Sequence, residues 1–281
     1  MAVILRLGDR AVDVTHRSLV MGILNRTPDS FYDRGEFWNF DAFLRLADAH
    51  VAAGADILDV GGVKAGPGPE VTEQEELDRV LPAIDALVRR FDTPISVDTW
   101  RASVAKGAYE LGAVIGNDIS GFGDPEYLPV AAAAGATVIA THIRLKPRVA
   151  DPEPEYADVV RDVGAFLVER AKRAVAAGVA ADRIVLDAGL DLGKTWQQSL
   201  QLLRHSADLA SLGYPLLLSA SNKTFLGKLL DLEVGDRREA SHAATALGII
   251  GGCRIVRVHD VAGSRRICDF LAAVHAAGTA A

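Results

Sequence analysis

The stretch LVMGILN, residues 19–25, is apolar through Leu24 and turns polar at Asn25, where RTPDS follows with ordinary turn chemistry. Seven residues are too few for a helix of the usual length and suit a buried strand whose far end opens into something polar. The same form returns as DILDV (56–60), PISVD (94–98), AVIGND (113–118), TVIATH (137–142), RIVLD (183–187), PLLLSA (215–220) and RIVRV (254–258). Between these runs lie amphipathic stretches such as FDAFLRLADAHVAAGA (40–55) and EQEELDRVLPAIDALVRRF (73–91), whose apolar residues recur at helical spacing. Strand then helix, eight times in 281 residues, predicts the α/β class and a closed (β/α)8 TIM barrel rather than an open doubly wound sheet. The expected organisation is a single domain over residues 1–281. Residues 1–18 form an N-terminal hairpin turning at Gly8-Asp9 and placed to plug the barrel bottom, and residues 146–156 form one long loop.

Polar residues fall at the ends of the apolar runs: Asn25, Asp59, Asp98, Asn117, His142, Asp187, Ser219 and Arg257. Any one of them could simply end a strand, but barrel active sites are built at the C-terminal strand ends, so the set predicts one polar mouth. Composition narrows what that mouth receives. A net charge of −7, with Lys and Arg scattered, lacks the basic stripe of a nucleic-acid binder and favours a small-molecule partner. No run reaches the ~18 apolar residues of a membrane span, and Arg6 and Asp9 interrupt the N-terminus too soon for a signal peptide. Cys253 and Cys268 have no zinc or disulfide spacing, so a reducing, cytoplasmic location is expected. DAGLDLGKT (187–195) approaches a phosphate-binding P-loop, but its glycines are one residue too close, and a nucleotide triphosphatase is excluded. Gly66-Pro67-Gly68 likewise lacks the spacing of a dinucleotide loop.

The series ILNRTPDSF, DVGG, SVDTW, NDISG, DAGLDLGKT, SNKTFLG and RVHDV, in that order and spacing, resembles dihydropteroate synthase over nearly the whole chain. That resemblance implies a (β/α)8 barrel. It also implies the joining of a hydroxymethyl-dihydropterin diphosphate to p-aminobenzoate, with release of diphosphate. Carried over residue by residue, it makes Asp187, Asn117, Lys223 and Asp98 the pterin site, with Asp98, Lys223 and Asp187 catalytic. A carboxylate at Asp187 would accept the two adjacent donors of the pterin edge. Lys223 would donate to acceptors on the other side, and Asp98 would stabilise positive charge as the C–O bond breaks. The resemblance places diphosphate on Asn25, Arg257 and His259, gives Asn25 to Mg²⁺, and makes residues 27–34 a first loop over the site. It also implies a homodimer, through outer helices such as residues 237–250.

The second loop departs from the pattern. Residues 61–68 read GGVKAGPG where the family has Gly-Gly-Glu-Ser-Thr-Arg-Pro-Gly, so the Thr and Arg that hold the acceptor and diphosphate are replaced. Leu192 stands where a phenylalanine packs on the aminobenzoate ring, and Asn222 stands where an Arg precedes the motif lysine. The chain is similar to a divergent group of second paralogues that share NRTPDSFYD and GGVKAGPG. The expectation is therefore a dihydropteroate synthase-type transferase whose pterin half is kept and whose activity is weak or lost. The alternatives are an inactive pterin-binding paralogue and a pterin-dependent transferase with another acceptor.

Overall fold

The computed structural model describes residues 2–27 and 39–278. Beyond Thr27, the expected first loop lies outside the described residues. All eight predicted runs are strands: β3 (Leu19–Asn25), β4 (Ile57–Gly61), β5 (Ile95–Asp98), β6 (Ile115–Asp118), β7 (Thr137–Thr141), β8 (Ile184–Asp187), β9 (Leu216–Leu218) and β10 (Cys253–Val258). They pair in parallel and close into a barrel in sequence order, β10 returning to β3. A parallel barrel has no free sheet edge, which is why such aliphatic runs need no charged residue midway.

Alternation sorts the side chains into two cores. Odd-numbered Leu19, Met21, Ile57, Ile115, Ile139, Val185, Leu217 and Ile255 pack together inside the barrel, while Leu24, Leu58, Val60, Val97, Val138, Leu186 and Leu218 pack outward against helices. The short antiparallel strands β1 (Ile4–Leu7) and β2 (Arg10–Asp13) form the expected hairpin, and their Leu5 and Leu7 join the interior cluster at the N-terminal strand ends. The hairpin is tied down by the Thr137 hydroxyl on the Arg6 carbonyl and by Arg183 on the Gly8 carbonyl at 2.9 Å. The floor is thus sealed with apolar side chains, and only the opposite end can open.

Helices clothe the outside. α1 (Phe40–Ala52) begins at Asn39, whose side chain accepts from the Asp41 and Ala42 amides. α2 (Glu73–Arg90) is capped by Thr72 and buries Val80, Ala83, Ile84 and Leu87, one i, i+3, i+4, i+7 stripe against the barrel. Val80, Ile84 and Leu87 each contribute about 1.5–3 kcal/mol when fully buried, and Ala83 lets the helix approach closely. α3 (Ala102–Glu110), α4 (Tyr127–Ala133), α5 (Val159–Ala176), α6 (Trp196–Arg204), α7 (Ser206–Ala210), α8 (Thr224–Leu230), α9 (Arg238–Ile250) and α10 (Val261–Gly278) continue the ring. Among the described residues no helix is long and apolar enough to cross a membrane.

Candidate active site

The interior parity that is apolar at the floor becomes polar toward the C-terminal strand ends. In β4, Ile57 is followed on the same face by Asp59, in β6 Ile115 by Asn117, in β8 Val185 by Asp187, and in β10 Ile255 by Arg257. Asn25 and Ser219 continue this odd-numbered face, and Asp98 joins it from β5, where Ile95 and Val97 pack outward and the inward phase is even, with Asn25 and Asp98 each paired in register with Gly61. Seven of the eight residues singled out in the sequence therefore share one inward face. His142 does not. It falls on the outward parity of β7, where its ring meets Phe166 edge-on at 4.7 Å and its Nδ1 lies 2.8 Å from Lys194 Nζ. The inward place belongs to Thr141, a residue whose signal in the sequence was only its phase relative to Ile139.

Arg257 is the hub of the mouth. Its Nε donates to Asp59 Oδ2 at 2.6 Å, its Nη2 donates to Asp98 Oδ2 at 2.7 Å, and Asn117 Nδ2 donates to the same Asp59 oxygen at 3.3 Å. Asp59 is fully buried, and its side chain meets those of Asn117 and Arg257 across the barrel interior. Sequence reasoning placed Asp59 in the mouth but gave it no role, because a pairing 198 residues away leaves no local trace. Two carboxylates on one guanidinium leave a charge imbalance in a dry place. Burial pushes Asp98 up to about 7, with Arg257 pulling downward and Asp59 pushing further up. For Arg257 itself burial disfavours the charge, yet Asp59 and Asp98 hold it above its ordinary value. The polar atoms Asp59 Oδ1, Ser96 Oγ and Thr141 Oγ1, all on the inward parity, have no hydrogen-bond partner among the described residues.

Asp187 and Lys223 form the second group. Asp187 Oδ1 accepts the Gly189 amide at 2.8 Å, and burial raises its carboxyl against the pull of Lys223. Lys223 stands at the N-terminal boundary of α8 and donates to the Leu190 carbonyl at 2.7 Å. Burial lowers its ammonium, opposed by Asp187. The turn that aims both is possible because Gly189 sits at φ +63°, and a side chain there would meet the His142 carbonyl oxygen at 2.0 Å. Lys194, which in a P-loop would hold phosphate, is buried and donates to the carbonyls of Leu192 at 2.9 Å and His142 at 3.3 Å.

His259 lies apart from these groups. Its Nδ1 is 3.0 Å from Ser221 Oγ, which also accepts the His259 amide at 3.2 Å. Burial and the adjacent Arg257 charge push the imidazole down to about 3. A cavity of about 330 Å³ opens beside it, lined by Ser221, Asn222, Arg238, His242, His259 and Ser264. Asp260 holds Arg238 at 2.8 Å there. Asn222 adopts φ +57° and accepts Arg237 Nη1 on its carbonyl at 3.0 Å.

Residues 21–259 match the family model described as pterin binding enzyme. The chain is 43% identical over 264 residues to the Mycobacterium tuberculosis protein named inactive dihydropteroate synthase 2, covering 92% of this chain and 83% of that one. It is 42% identical over 267 residues to the dihydropteroate synthase of Synechocystis, covering 94% of this chain and 92% of the relative. The crystal structure of Yersinia pestis dihydropteroate synthase in a sulfonamide drug complex superimposes with a TM-score of 0.93 at 38% identity, covering 97% of this chain and 99% of that one. A likeness that runs from the first barrel strand to the last, in sequence and in fold alike, has one meaning: the chain belongs to the pterin-binding enzyme family of the dihydropteroate synthases.

Proposed function

We propose that the chain is a single barrel domain that binds a dihydropterin diphosphate in its mouth and transfers the pterin-methyl group to p-aminobenzoate. The amine nitrogen of the acceptor bonds to the exocyclic carbon, the C–O bond to diphosphate breaks, and the amine loses a proton. The observation that carries this reading is the inward layer Asp59–Arg257–Asp98 with Asn117, facing the Asp187 and Lys223 pair. Asp187 and Asn117 would receive the donor edge of the ring and Lys223 its acceptor edge. Asp98, as a carboxylate, would stabilise positive charge growing at the reacting carbon. The diphosphate would leave toward Asn25, His259 and Arg257, with Arg257 exchanging part of its carboxylate contacts for phosphate oxygens.

Magnesium fits this site through its donor chemistry. Mg²⁺ takes few protein ligands and completes its shell with water and phosphate oxygens, so the single amide oxygen of half-buried Asn25 beside a diphosphate is a sufficient holder. When bound it would supply positive charge to the leaving group. Among the described residues no three His, Cys, Asp or Glu side chains converge on a metal site, so the substrate would bring most of the ligands.

A second reading, pterin binding without transfer, is favoured by the loop after β4. Lys64, Ala65 and Gly66 provide no hydroxyl or guanidinium where the family has Ser, Thr and Arg, and Leu192 provides no ring. Incubating purified protein with pterin diphosphate, Mg²⁺ and p-aminobenzoate decides between them. Dihydropteroate and diphosphate formed in equal amounts support transfer, and pterin binding by calorimetry without product supports the binding module. No binding at millimolar pterin overturns both.

The homodimer belongs to this proposal as well. α9 and α10 pack side by side and expose Leu247 (58%), Ile250 (71%), Phe270 (67%) and Val274 (54%), an apolar surface on neighbouring helices that a second copy would cover. Sedimentation as a monomer at micromolar concentration would remove it. Cys253 and Cys268 are buried and free, as the proposed cytoplasmic location allows.

A further inference from the structure

The segment between β7 and α5 bonds to the loop after β4 and to the turn after β8, beside two of the three places where this chain departs from the family pattern. It is stiffened from within by Arg144, whose Nε and Nη2 take Asp151 in a fork at 2.6 and 2.7 Å. Toward α6 it is fastened by Tyr156, whose hydroxyl donates to the Gly193 carbonyl at 2.7 Å, one residue past Leu192. At its tip Arg148 stands at φ +69°, a left-handed conformation uncommon for a residue with a side chain. That conformation turns Arg148 into the loop after β4.

There Arg148 meets four carbonyls. Its amide donates to Ala65 O at 2.9 Å, and its Nη1 donates to Lys64 O at 3.1 Å and Gly66 O at 2.6 Å. Its Nη2 donates to the Pro69 carbonyl. The approach depends on Gly68, where a Cβ would lie 2.8 Å from Nη2. The carbonyls belong to the Val63–Gly66 replacement and its flank, the segment that has exchanged Glu-Ser-Thr-Arg for residues with almost no hydrogen-bonding side chains. Val63, Ala65 and Gly66 bring no polar side chain to this backbone, and a planar guanidinium with several fixed donors can satisfy a curved set of its carbonyls at once.

We propose that Arg148 is the positioning residue of the loop after β4: it fixes that loop over the acceptor side of the mouth and so takes over the ordering function of the missing side chains. The assignment of that side to the acceptor rests on the proposed function, and the ordering of the loop does not.

Native-state trypsin digestion tests the ordering directly, since the Lys64–Ala65 bond lies inside the clamped segment and is cut only when the loop opens. Arg148→Ala should speed cleavage after Lys64 by about tenfold, with the melting temperature and every cleavage other than the one lost at residue 148 unchanged. Gly68→Ala, which displaces the guanidinium while leaving Arg148 in place, should do the same. The double variant should be no faster than either single one, because both remove one shared interaction. Arg148→Lys, which cannot span the carbonyls, should give a partial rescue. Unchanged cleavage in Arg148→Ala and Gly68→Ala, additive effects, or faster cleavage spread over the whole barrel would overturn the proposal. Dihydropterin affinity measured on the same proteins should stay within about twofold of the unaltered chain, because no pterin contact is removed. Failure of even the unaltered protein to bind pterin would sink the pocket reading while leaving the clamp to stand or fall on proteolysis.

Discussion

The strand-end layer and the loop after β4 are built on opposite principles. In the first, Asp59, Asp98, Asn117 and Arg257 sit on β-strands whose backbone is saturated by the sheet, and their side chains are held by one another. In the second, the backbone is held by a side chain from elsewhere, Arg148. Function anchored on strands tolerates change poorly because each partner removed exposes a buried charge. Function carried on a loop can be lost or re-specified without disturbing the barrel.

The sharpest way to expose the contrast is to break each region in turn and compare stability. Arg257→Met should cost about 3–5 kcal/mol in urea unfolding, since Asp59 and Asp98 would remain buried without their cation. Replacing half-buried Ala65 and exposed Gly66 by Thr-Arg, with buried Val63 left in place, should move stability by under about 0.5 kcal/mol, as surface changes usually do. Equal effects would erase the distinction.

Ligand binding gives the next effect in size. Asp187→Asn should weaken dihydropterin about 100-fold by calorimetry, because a charge-assisted acceptor becomes a mixed donor and acceptor facing ring donors. Retained affinity would remove Asp187 from the pterin edge.

The pH dependence isolates Asp98. Its carboxyl is raised to about 7, so below that pH it is mostly protonated and cannot stabilise cationic character in the substrate. Turnover should therefore fall as pH drops through about 7 and rise to a plateau above it, and Asp98→Asn should flatten that limb along with most of the rate. For stability the sign is opposite. A raised carboxyl favours the folded state most below its unfolded value near 3.8 and loses that contribution as pH rises through about 7.

The smallest expected effect sharpens the comparison from the loop side. The same Thr-Arg replacement should raise kcat/KM with p-aminobenzoate about tenfold, or ~1.4 kcal/mol of transition-state stabilisation, while leaving pterin affinity intact. If turnover does not move, Leu192 and Asn222 become the sites to restore.

The sequence by itself determined the barrel, because period-two alternation inside eight short aliphatic runs leaves a chain of this length few other ways to bury both faces of each strand. It also pointed to most of the inward polar face, since Asn25, Asp59, Asp98, Asn117, Asp187 and Arg257 stand at the ends of apolar runs whose order along the chain is readable. Tertiary structure decided how those groups are spent. That Arg257 is shared between Asp59 and Asp98, that His142 turns outward to Lys194 while Thr141 faces in, and that Arg148 holds a loop some eighty residues away are all consequences of barrel closure. Closure sets strand phase and brings distant loops together, and neither has a signature within any window of the chain.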